Sequence, residues 1–239
     1  MTAYYDLHMH SCLSPCGDDD MTPGNIAGMA YLNGLNVVAL SDHNTCKNVP
    51  ALVEAARQYE NLLIVPAMEL TTAEEIHVLC LFRSLEGALA FDAYVEQHLM
   101  QVENDVEIFG HQVIMDGEDN PTGEFPYLLI NATDISMEEV FPLVSSFGGL
   151  AVPAHIDKQA NSYLSQYGFI PPDAPFPCYE MADLSHREEL TAANPVLAGK
   201  FFLSDSDAHY LHHIREQLYS LNLPSLTLES FFAALPVSE

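Results

Sequence analysis

Histidine and carboxylate residues occur in short groups along the chain, and side chains of these types can bind metal ions. The first group places two imidazoles on alternate residues, His8 and His10, directly after a short apolar segment that favours a β-strand. Side chains of a strand alternate between its faces, so both rings point to the same side. Similar groups lie in or after other apolar segments: Asp42-His43, Glu69 with His77, His155-Ile156-Asp157 and Asp205-Ser206-Asp207-Ala208-His209. Because imidazole suits zinc, iron and manganese and carboxylates can bridge ions, the series predicts a polynuclear metal site.

These groups need a scaffold that brings them together, and the chain alternates strand-like with helix-like segments. Strands are predicted at residues 3–7, 36–40, 62–70, 76–82, 150–154, 179–183, 201–204 and 218–223. Helices are predicted at residues 49–60, 85–102, 136–147 and 226–235, and another runs from residue 23 to the glycine at position 34. Repeated strand–helix units with short connections predict a mostly parallel sheet covered by helices. At 239 residues, closure into a barrel is economical, since a (β/α)₈ barrel takes about 250 residues and has its catalytic face at the strand ends.

Local signals support several of these elements. Thr22 is suited to cap a helix whose first residue is Pro23. Ser136 and Glu139 have the spacing of a capping box. Residues 107–125, rich in glycine, proline, asparagine and aspartate, predict an irregular loop or a small excursion. Because no break in composition marks a linker, residues 1–239 are predicted to form one domain.

Acidic residues far outnumber basic ones: 34 aspartates and glutamates against 7 lysines and arginines give a formal net charge of −27. The average field of such a surface repels nucleic acid and anionic membranes. Divalent ions bound in one cleft would make that cleft locally positive. We therefore expect a small phosphorylated substrate as partner, and neither long nucleic acid nor a membrane. The absence of a long apolar stretch or a signal-peptide pattern predicts a cytoplasmic location, and the oligomeric state stays open.

The five cysteines form no Cys-x-x-Cys pair. An odd count without a signal peptide argues against a disulfide framework. Cys12 and Cys16 lie just after the first histidine pair. For these two thiols, a ligand or redox role and an incidental position are both open.

Four of the histidine groups, taken in order, resemble the motifs of the polymerase and histidinol phosphatase (PHP) family. The matching segments are Asp6-Leu7-His8-Met9-His10-Ser11, Ser41-Asp42-His43-Asn44-Thr45, Pro153-Ala154-His155 and Asp207-Ala208-His209. The resemblance covers nearly the whole chain and is specific for the family, but not for a substrate. It implies an α/β fold, a distorted (β/α)₇ TIM-like barrel, with two to three divalent ions at the carboxyl ends of the strands. The mixed nitrogen and oxygen ligands leave zinc, manganese and iron open.

The resemblance also implies which residues bind each ion. The implied ligands are His8, His10, Glu69 and Asp207 for the first ion, Glu69, His77 and His155 for the second, and His43, His209 and Asp18 for the third. The assignment of Asp18 rests on a loop that departs from the family pattern. Family members often read Ser-Asp-Gly shortly before Thr-Pro, whereas residues 14–21 here read Ser-Pro-Cys-Gly-Asp-Asp-Asp-Met. Counting back from Thr22-Pro23, Asp18 takes the expected place, with Asp19 and Asp20 beside it, and a solvated acidic turn is the alternative.

Several other residues have two interpretations. His77 lies within an apolar strand, where a histidine is often a hydrogen-bonded core residue, but its position after Glu69 fits a ligand. Lys158 is the first candidate for a phosphate contact, with an ordinary surface lysine as the alternative. Asp42 and Asp205 neighbour ligands and are expected to orient them. Histidines that match no motif are predicted to lie at the surface: His98, His111, His186, His212 and His213.

Two or three divalent ions a few ångströms apart can hydrolyse a phosphoester, because they activate water and clamp the attacking and leaving oxygens. We predict an enzyme, a metal-dependent phosphoric ester hydrolase that cleaves a phosphomonoester or small nucleotide-type phosphodiester with metal-activated hydroxide. His43 or His209 can help to protonate the leaving group where it does not bind an ion. One alternative is a histidinol-phosphate phosphatase, although no basic pocket for that substrate is evident. The other is a non-catalytic metal-binding regulatory module, which the filled ligand positions disfavour.

Overall fold

The computed structural model describes residues 1–235, which form ten strands and eight α-helices. The strands are β1 (Thr2–Asp6), β2 (Val37–Leu40), β3 (Leu63–Thr71), β4 (His77–Phe82), β5 (Val113–Met115), β6 (Pro121–Glu124), β7 (Gly149–Pro153), β8 (Cys178–Glu180), β9 (Phe201–Leu203) and β10 (Ser220–Asn222). The helices are α1 (Pro23–Leu32), α2 (Val49–Ala55), α3 (Leu85–His98), α4 (Val106–Phe109), α5 (Met137–Ser146), α6 (Tyr163–Tyr167), α7 (Arg187–Ala193) and α8 (Leu228–Ala234).

The main sheet has six strands in the order β10-β1-β2-β3-β4-β7. Strands β1, β2 and β3 are parallel, but β4 is antiparallel to both β3 and β7, and β10 is antiparallel to β1. The prediction of a mostly parallel sheet is therefore wrong. The reason is the connection between β3 and β4: residues 72–76 are too few for the crossover that parallel neighbours require. The result is a mixed α/β fold with a curled half-barrel sheet, and the exact (β/α)₇ barrel is not confirmed.

A parallel pair, β8 and β9, is joined to the main sheet beyond the ends of the regular strands. Met9 and Ala208 form an isolated parallel bridge, in which the His10 N–H donates to the Ala208 carbonyl at 2.9 Å. On the other side, the Ile156 N–H donates to the Glu180 carbonyl at 2.9 Å. These bonds bring the segments after β1, β7 and β9 to one edge of the fold.

Apolar side chains fill both faces of the sheet. In β2, Val38 and Leu40 belong to a large cluster that packs against helices α1, α2, α3 and α5. Val37 and Ala39 face the other way, into a second cluster that α8 closes with Phe231. All four β2 residues are buried, as expected for a strand covered on both faces. The sheet is therefore held rigidly from two sides, which fixes the strand ends.

The helix signals of the sequence are confirmed in two places. Thr22 caps α1 and accepts the Asn25 N–H at 3.3 Å. The capping box of α5 is present, with the Ser136 N–H donating to Glu139 Oε2 at 3.1 Å.

Elsewhere the observed elements differ in length or kind. The helix predicted at residues 85–102 ends at His98. The helix predicted at residues 49–60 is observed as α2, which is followed by a 3₁₀ turn at Ala56–Gln58. The segment predicted as irregular at 107–125 holds the end of α4 and the β5–β6 hairpin. The prediction of one domain over residues 1–239 stays a prediction. Among the helices of residues 1–235, none is both long enough and apolar enough to cross a bilayer.

Candidate metal centre

Glu69, near the end of β3, is surrounded by five imidazoles at the edge where the polar segments meet. Its carboxylate oxygens lie 2.9 Å from His77 Nδ1, 3.0 Å from His43 Nδ1, 3.1 Å from His8 Nε2, 3.2 Å from His155 Nε2 and 3.4 Å from His10 Nε2. Glu69 itself is 1% exposed. A buried carboxylate in contact with this many rings is placed to bridge metal ions.

The antiparallel β3–β4 hairpin explains how His77 reaches this cluster. Register pairs Thr71, the last residue of β3, with His77, the first residue of β4. A parallel β4 would have placed its first residue at the opposite end of the sheet. The strand direction that the sequence did not reveal is therefore the one that brings His77 to Glu69.

Asp207, four residues beyond β9, supplies a second carboxylate. Its Oδ1 lies 3.3 Å from His10 Nε2 and 3.5 Å from His8 Nε2. Its other oxygen forms an ion pair with the Lys158 ammonium. These distances bring together residues from the beginning and the last quarter of the chain, and their role as ligands stays a prediction.

Left-handed backbone conformations turn two of these residues into the cluster. His155 has a φ of 30° and Asp207 a φ of 52°, values that residues other than glycine seldom adopt. Each such conformation costs on the order of 1–3 kcal/mol and persists where the surroundings enforce it. We interpret the strain as the cost of directing these side chains from the strand ends towards Glu69.

The donor atoms fall into three groups within which all atoms lie within 4.8 Å of one another. The groups are His8, His10 and Asp207; His43, Glu69 and His77; and His10, Cys16, His43 and His209. The first group is part of the set that the PHP resemblance implies for one ion. The second shares Glu69 and His77 with the set implied for another ion, but it contains His43 in place of His155. The third contains His43 and His209 as expected, but a thiol stands where an acid was predicted.

The residues fit metal ions because three buried ring nitrogens face carboxylate oxygens at 3.1, 3.3 and 3.0 Å but make no hydrogen bond within the described chain: His8 Nε2, His10 Nε2 and His43 Nδ1. A buried nitrogen left without a partner is costly. For His8 and His10 the opposite nitrogen is already held, by Glu180 and by Ser14 Oγ. This arrangement, with one nitrogen fixed and the other free towards carboxylates, is typical of histidines that bind metals.

Glu180 is a site residue that the sequence analysis missed. Both of its carboxylate oxygens lie 3.0 Å from His8 Nδ1, and Oε2 also accepts the His155 N–H at 2.9 Å. Burial raises the pKa of Glu180, but His8 and His155 together lower it below its usual value, so the group is held as a carboxylate. A lone glutamate at the end of a three-residue strand carries no pattern from which this contact could be read.

Asp42 holds the loop after the first motif rather than a ligand ring directly. It accepts the Ser11 N–H at 2.7 Å and the Ser14 hydroxyl at 2.8 Å. The Ser14 oxygen lies 3.2 Å from His10 Nδ1 and also accepts the His43 N–H at 3.1 Å. Asp42 thus acts on His10 through Ser14, and the predicted orienting role remains a prediction that this geometry favours.

Asp205 contacts the backbone of the first motif, at the residue before His8. Its Oδ1 accepts the Leu7 N–H at 2.6 Å, and its buried Oδ2 has no partner among residues 1–235. Burial, together with the charges of Glu180 and Asp6, raises the pKa of this carboxyl well above its usual value. A protonated Asp205 is therefore favoured, and it holds the backbone of Leu7, the residue before His8.

The three predicted acids of the loop lie apart from the ring nitrogens. Asp18 belongs to none of the donor groups found in the described chain, and its Oδ1 accepts the Asp20 N–H at 3.0 Å. Asp19 and Asp20 are exposed. The Asp18 backbone does take part, since its N–H donates to the His209 carbonyl at 2.9 Å. A ligand role for the Asp18 side chain stays a prediction.

The charges of the cluster separate the protonation states of its members. Burial raises the pKa of Glu69, but His77 and His8 lower it well below its usual range. Burial, reinforced by His43, lowers the pKa of His10 to about 3. A neutral imidazole beside ionised carboxylates is the protonation state that binds a divalent cation.

A cavity of about 230 Å³ opens onto the cluster and is lined by His43, Glu69, His77, His155, Lys158, Ala160, Asn161, Asp207 and His209. Lys158 also lines a larger neighbouring cavity of about 480 Å³, next to Ile156, Leu164 and Leu190. Lys158 is thus the side chain shared by both cavities. Although partial burial lowers the pKa of its ammonium, Asp207 raises it by more, so the group stays charged.

The histidines without a motif lie away from the centre. His111, His186, His212 and His213 are exposed, and His98 is half-buried with its Nδ1 2.7 Å from Asp134. Their predicted surface position is confirmed for the first four.

No family model matches the chain. A 5'-3' exoribonuclease from Haemophilus influenzae is 35% identical over 81 residues, which are 33% of this chain and 28% of the exoribonuclease. Lesion-specific Endonuclease Q from Pyrococcus furiosus has a similar structure, with a TM-score of 0.69, 21% identity, and coverage of 98% of this chain and 56% of that one. A Bifidobacterium adolescentis protein provisionally named a metal-dependent phosphoesterase gives a TM-score of 0.57 and 19% identity, covering 87% of this chain and 88% of that one.

The resemblance to the PHP family is confirmed at the level of the fold, because Endonuclease Q and the Bifidobacterium protein are PHP-domain proteins. The chain spans about half of Endonuclease Q and less than a third of the exoribonuclease.

The expectation that long nucleic acid is excluded as a partner is wrong. Endonuclease Q has been solved with a 27-mer duplex whose abasic lesion lies at the active site, and that complex matches this chain with a TM-score of 0.62 at 19% identity, covering 97% of this chain and 55% of that one. The net charge of −27 is an average over the whole surface. A phosphate responds to the local field of the cleft that it enters, where basic groups and bound cations outweigh distant acids.

Proposed function

We propose that this chain is a metal-dependent phosphoric ester hydrolase that cleaves a phosphodiester bond, in a nucleic acid strand or in a smaller nucleotide. The observation that carries the proposal is the contact of one buried carboxylate, Glu69, with five imidazoles beside a second carboxylate, Asp207. The names of the similar proteins support a hydrolase of this kind: an endonuclease, an exoribonuclease and a metal-dependent phosphoesterase.

The histidines and carboxylates of the three donor groups would hold the ions together with His155, whose Nε2 lies 3.2 Å from Glu69, and Glu69 would be shared between two ions. When bound, divalent ions lower the pKa of water towards neutrality and neutralise charge on the phosphoryl oxygens. We leave zinc, manganese and iron open for the two sites that Glu69 would share. His8 and His10 are fixed through their Nδ1 atoms, so their Nε2 atoms keep one orientation in the site.

Lys158 is proposed to contact a phosphate oxygen of the substrate. Its side chain is 40% exposed and forms an ion pair with Asp207, so its ammonium lies beside a proposed ligand of the metal centre. The adjoining cavity beside Lys158 has apolar walls from Ile156, Leu164 and Leu190. Such walls suit the base or sugar of a nucleotide whose phosphate reaches the metal centre.

His43 and His209 are the candidate proton donors for the leaving group, where they are not used as ligands. His209 is the more accessible, with 26% of its side chain exposed against 7% for His43. Although partial burial lowers the pKa of His209, Cys16 and Asp207 raise it above its usual value. A protonated imidazole at the mouth of the cleft can donate to a departing oxygen.

A histidinol-phosphate phosphatase remains the alternative with a phosphomonoester substrate. The cavity at the cluster contains one basic side chain with a fixed charge, Lys158, among its lining residues. A non-catalytic regulatory module is the further alternative. It is disfavoured because the donor groups keep carboxylates and imidazoles in mutual contact, an arrangement that hydrolysis requires and a regulatory role does not.

The test is a panel of phosphoesters offered to metal-reconstituted protein: p-nitrophenyl phosphate, a dinucleotide, single-stranded RNA and DNA, and a duplex with an abasic site. We expect metal-dependent cleavage of at least one diester, lost in His8→Ala. The matched control is His111→Ala, because His111 is exposed and belongs to none of the donor groups in the described chain. Equal residual rates for the native chain and His8→Ala on every substrate would refute the hydrolase assignment. Cleavage of the monoester alone would favour the phosphatase alternative.

A further inference from the structure

The loop after the first histidine pair brings a thiol, rather than a carboxylate, to the third donor group. Cys16 Sγ lies within 4.8 Å of a ring nitrogen of each of His10, His43 and His209, and these three nitrogens also lie within 4.8 Å of one another. Cys16 is exposed at the mouth of the group, and His10 and His43 are buried behind it. The cluster therefore offers one sulfur and three nitrogens to a single ion.

The loop is held in this position by backbone bonds at both ends. The Gly17 N–H donates to the Ser14 carbonyl at 2.9 Å, and the Asp18 N–H donates to the His209 carbonyl at 2.9 Å. A Cβ at Gly17 would lie 2.1 Å from the Ser11 carbonyl oxygen, so only glycine permits this close turn. The preceding residue, Cys16, is thereby directed at the rings, while the Asp18 side chain closes a separate turn with Asp20.

The rings behind Cys16 are buried and face carboxylates without hydrogen-bond geometry. His10 Nε2 lies 3.3 Å from Asp207 and His43 Nδ1 3.0 Å from Glu69, yet neither nitrogen makes a hydrogen bond within the described chain, and the two residues are 0% and 6% exposed. Cys12, the other thiol of the segment, differs in this respect: it is buried, and its Sγ faces the Val113 carbonyl at 3.9 Å. Cys16, and not Cys12, therefore belongs to the donor group that contains these rings.

We propose that the Cys16 thiolate binds a divalent ion together with His43 and His209, in the place where the sequence predicts Asp18. The inference rests on the proposed function only in that the centre binds metal ions. One sulfur with imidazole nitrogens is a donor set for zinc in tetrahedral geometry and disfavours magnesium or manganese. The chain would then hold zinc at this position, whichever ions occupy the two sites that share Glu69.

Cobalt(II) provides the direct test, because a thiolate bound to cobalt produces a ligand-to-metal charge-transfer absorption in the near ultraviolet. We expect this band in the cobalt-loaded native chain, its complete loss in Cys16→Ser, and its retention in Cys12→Ser and Asp18→Asn. Zinc content measured by elemental analysis should fall by about one ion per chain in Cys16→Ser, since the ion loses one of its three proposed ligands. An unchanged band in Cys16→Ser, or loss of the ion in Asp18→Asn alone, would overturn the proposal.

Cys16→Asp separates the ligand role from a fold defect. It places a carboxylate where the native chain has the thiol, so we expect the ion to remain bound and the charge-transfer band to be absent. Circular dichroism and a melting curve establish that each variant is folded. The readout is independent of catalysis: a native chain with the cobalt band that cleaves no phosphoester supports the Cys16 ligand and refutes the proposed function. Cleavage in the absence of the band supports the proposed function and refutes the Cys16 ligand.

Discussion

Glu180 fixes His8 from behind: both oxygens of the glutamate lie 3.0 Å from His8 Nδ1, on the side of the ring opposite the nitrogen that faces Glu69. Glu180 also accepts the backbone N–H of His155 at 2.9 Å. One buried carboxylate therefore positions a ring that follows β1 and the main chain that follows β7. This contact sets both the tautomer of His8 and the spacing between two candidate ligands.

Replacing this carboxylate should weaken the centre without removing a ligand. For Glu180→Gln we expect metal affinity or activity to fall about 10–100-fold, the usual effect of losing a residue that orients a metal-bound histidine. Isothermal titration of the metal-free protein with zinc measures the affinity. Glu189→Gln removes an exposed carboxylate of the following helix and serves as the control. Equal affinities in both variants would contradict the role of Glu180.

Glu69→Gln should abolish the shared site. Because this carboxylate contacts five imidazoles, we expect activity to fall by more than the roughly 100-fold of an orienting residue, and the bound metal content to drop. Chelator should lower the melting temperature of the native chain, since an ion at about 100 times its dissociation constant contributes about 2.7 kcal/mol. In Glu69→Gln the same chelator should have a much smaller effect. A full response to chelator in the variant would show that Glu69 is not a ligand.

Lys158→Gln should act on substrate binding. A hydrogen bond to a charged group contributes about 1.5–3 kcal/mol, so we expect KM for the phosphoester to rise about tenfold or more, with a smaller change in kcat. Arg57→Gln removes the same charge from an exposed position elsewhere and should leave KM unchanged. Steady-state kinetics of both variants at one ionic strength separates a local contact from the general effect of charge. Parallel changes in both variants would argue against a phosphate contact.

Asp205→Asn should make stability less dependent on pH in the metal-free protein. The folded pKa of Asp205 is raised above its unfolded value of about 3.9, so the folded state binds this proton more tightly. The native chain therefore loses stability as the pH rises from about 4 through the folded pKa, and the neutral amide does not. Melting temperatures at about pH 5 and pH 8, with chelator present, measure the difference. Curves that stay parallel across this range would show that Asp205 is already ionised in the folded protein.

Much of the centre follows from the sequence because its ligands come in contiguous motifs. His8 with His10, and Asp207 with His209, have the two-residue spacing that places side chains on one side of an extended segment. The apolar strands before them predict where each pair lies. The position of His77 does not follow from motif spacing, because its approach to Glu69 depends on the direction of β4. A five-residue connection such as 72–76 should have indicated a hairpin, since a parallel neighbour needs a longer crossover.

Cys16 and Glu180 show where sequence reasoning stops. The distance of Cys16 from the rings depends on the tight turn at Gly17, whereas counting back from Thr22 selects Asp18. Glu180 becomes part of the site because β8 pairs with β9 and lies beside the segment that follows β7, long-range contacts that no local pattern records. Residues that touch ligands are encoded by spacing, but those that support the ligands are encoded by tertiary structure.

The bridge between Met9 and Ala208 has a consequence for how the protein acquires its metal. The candidate ligands His10 and Asp207 approach within 3.3 Å only when the beginning and the last quarter of the polypeptide have met. Closing so long a loop is among the slow steps of folding. An emerging nascent chain therefore cannot assemble this site, and metal capture reports that the native topology is complete. The unfolded chain, whose donors are scattered, competes weakly for the ions, so nearly all of their binding energy stabilises the folded state.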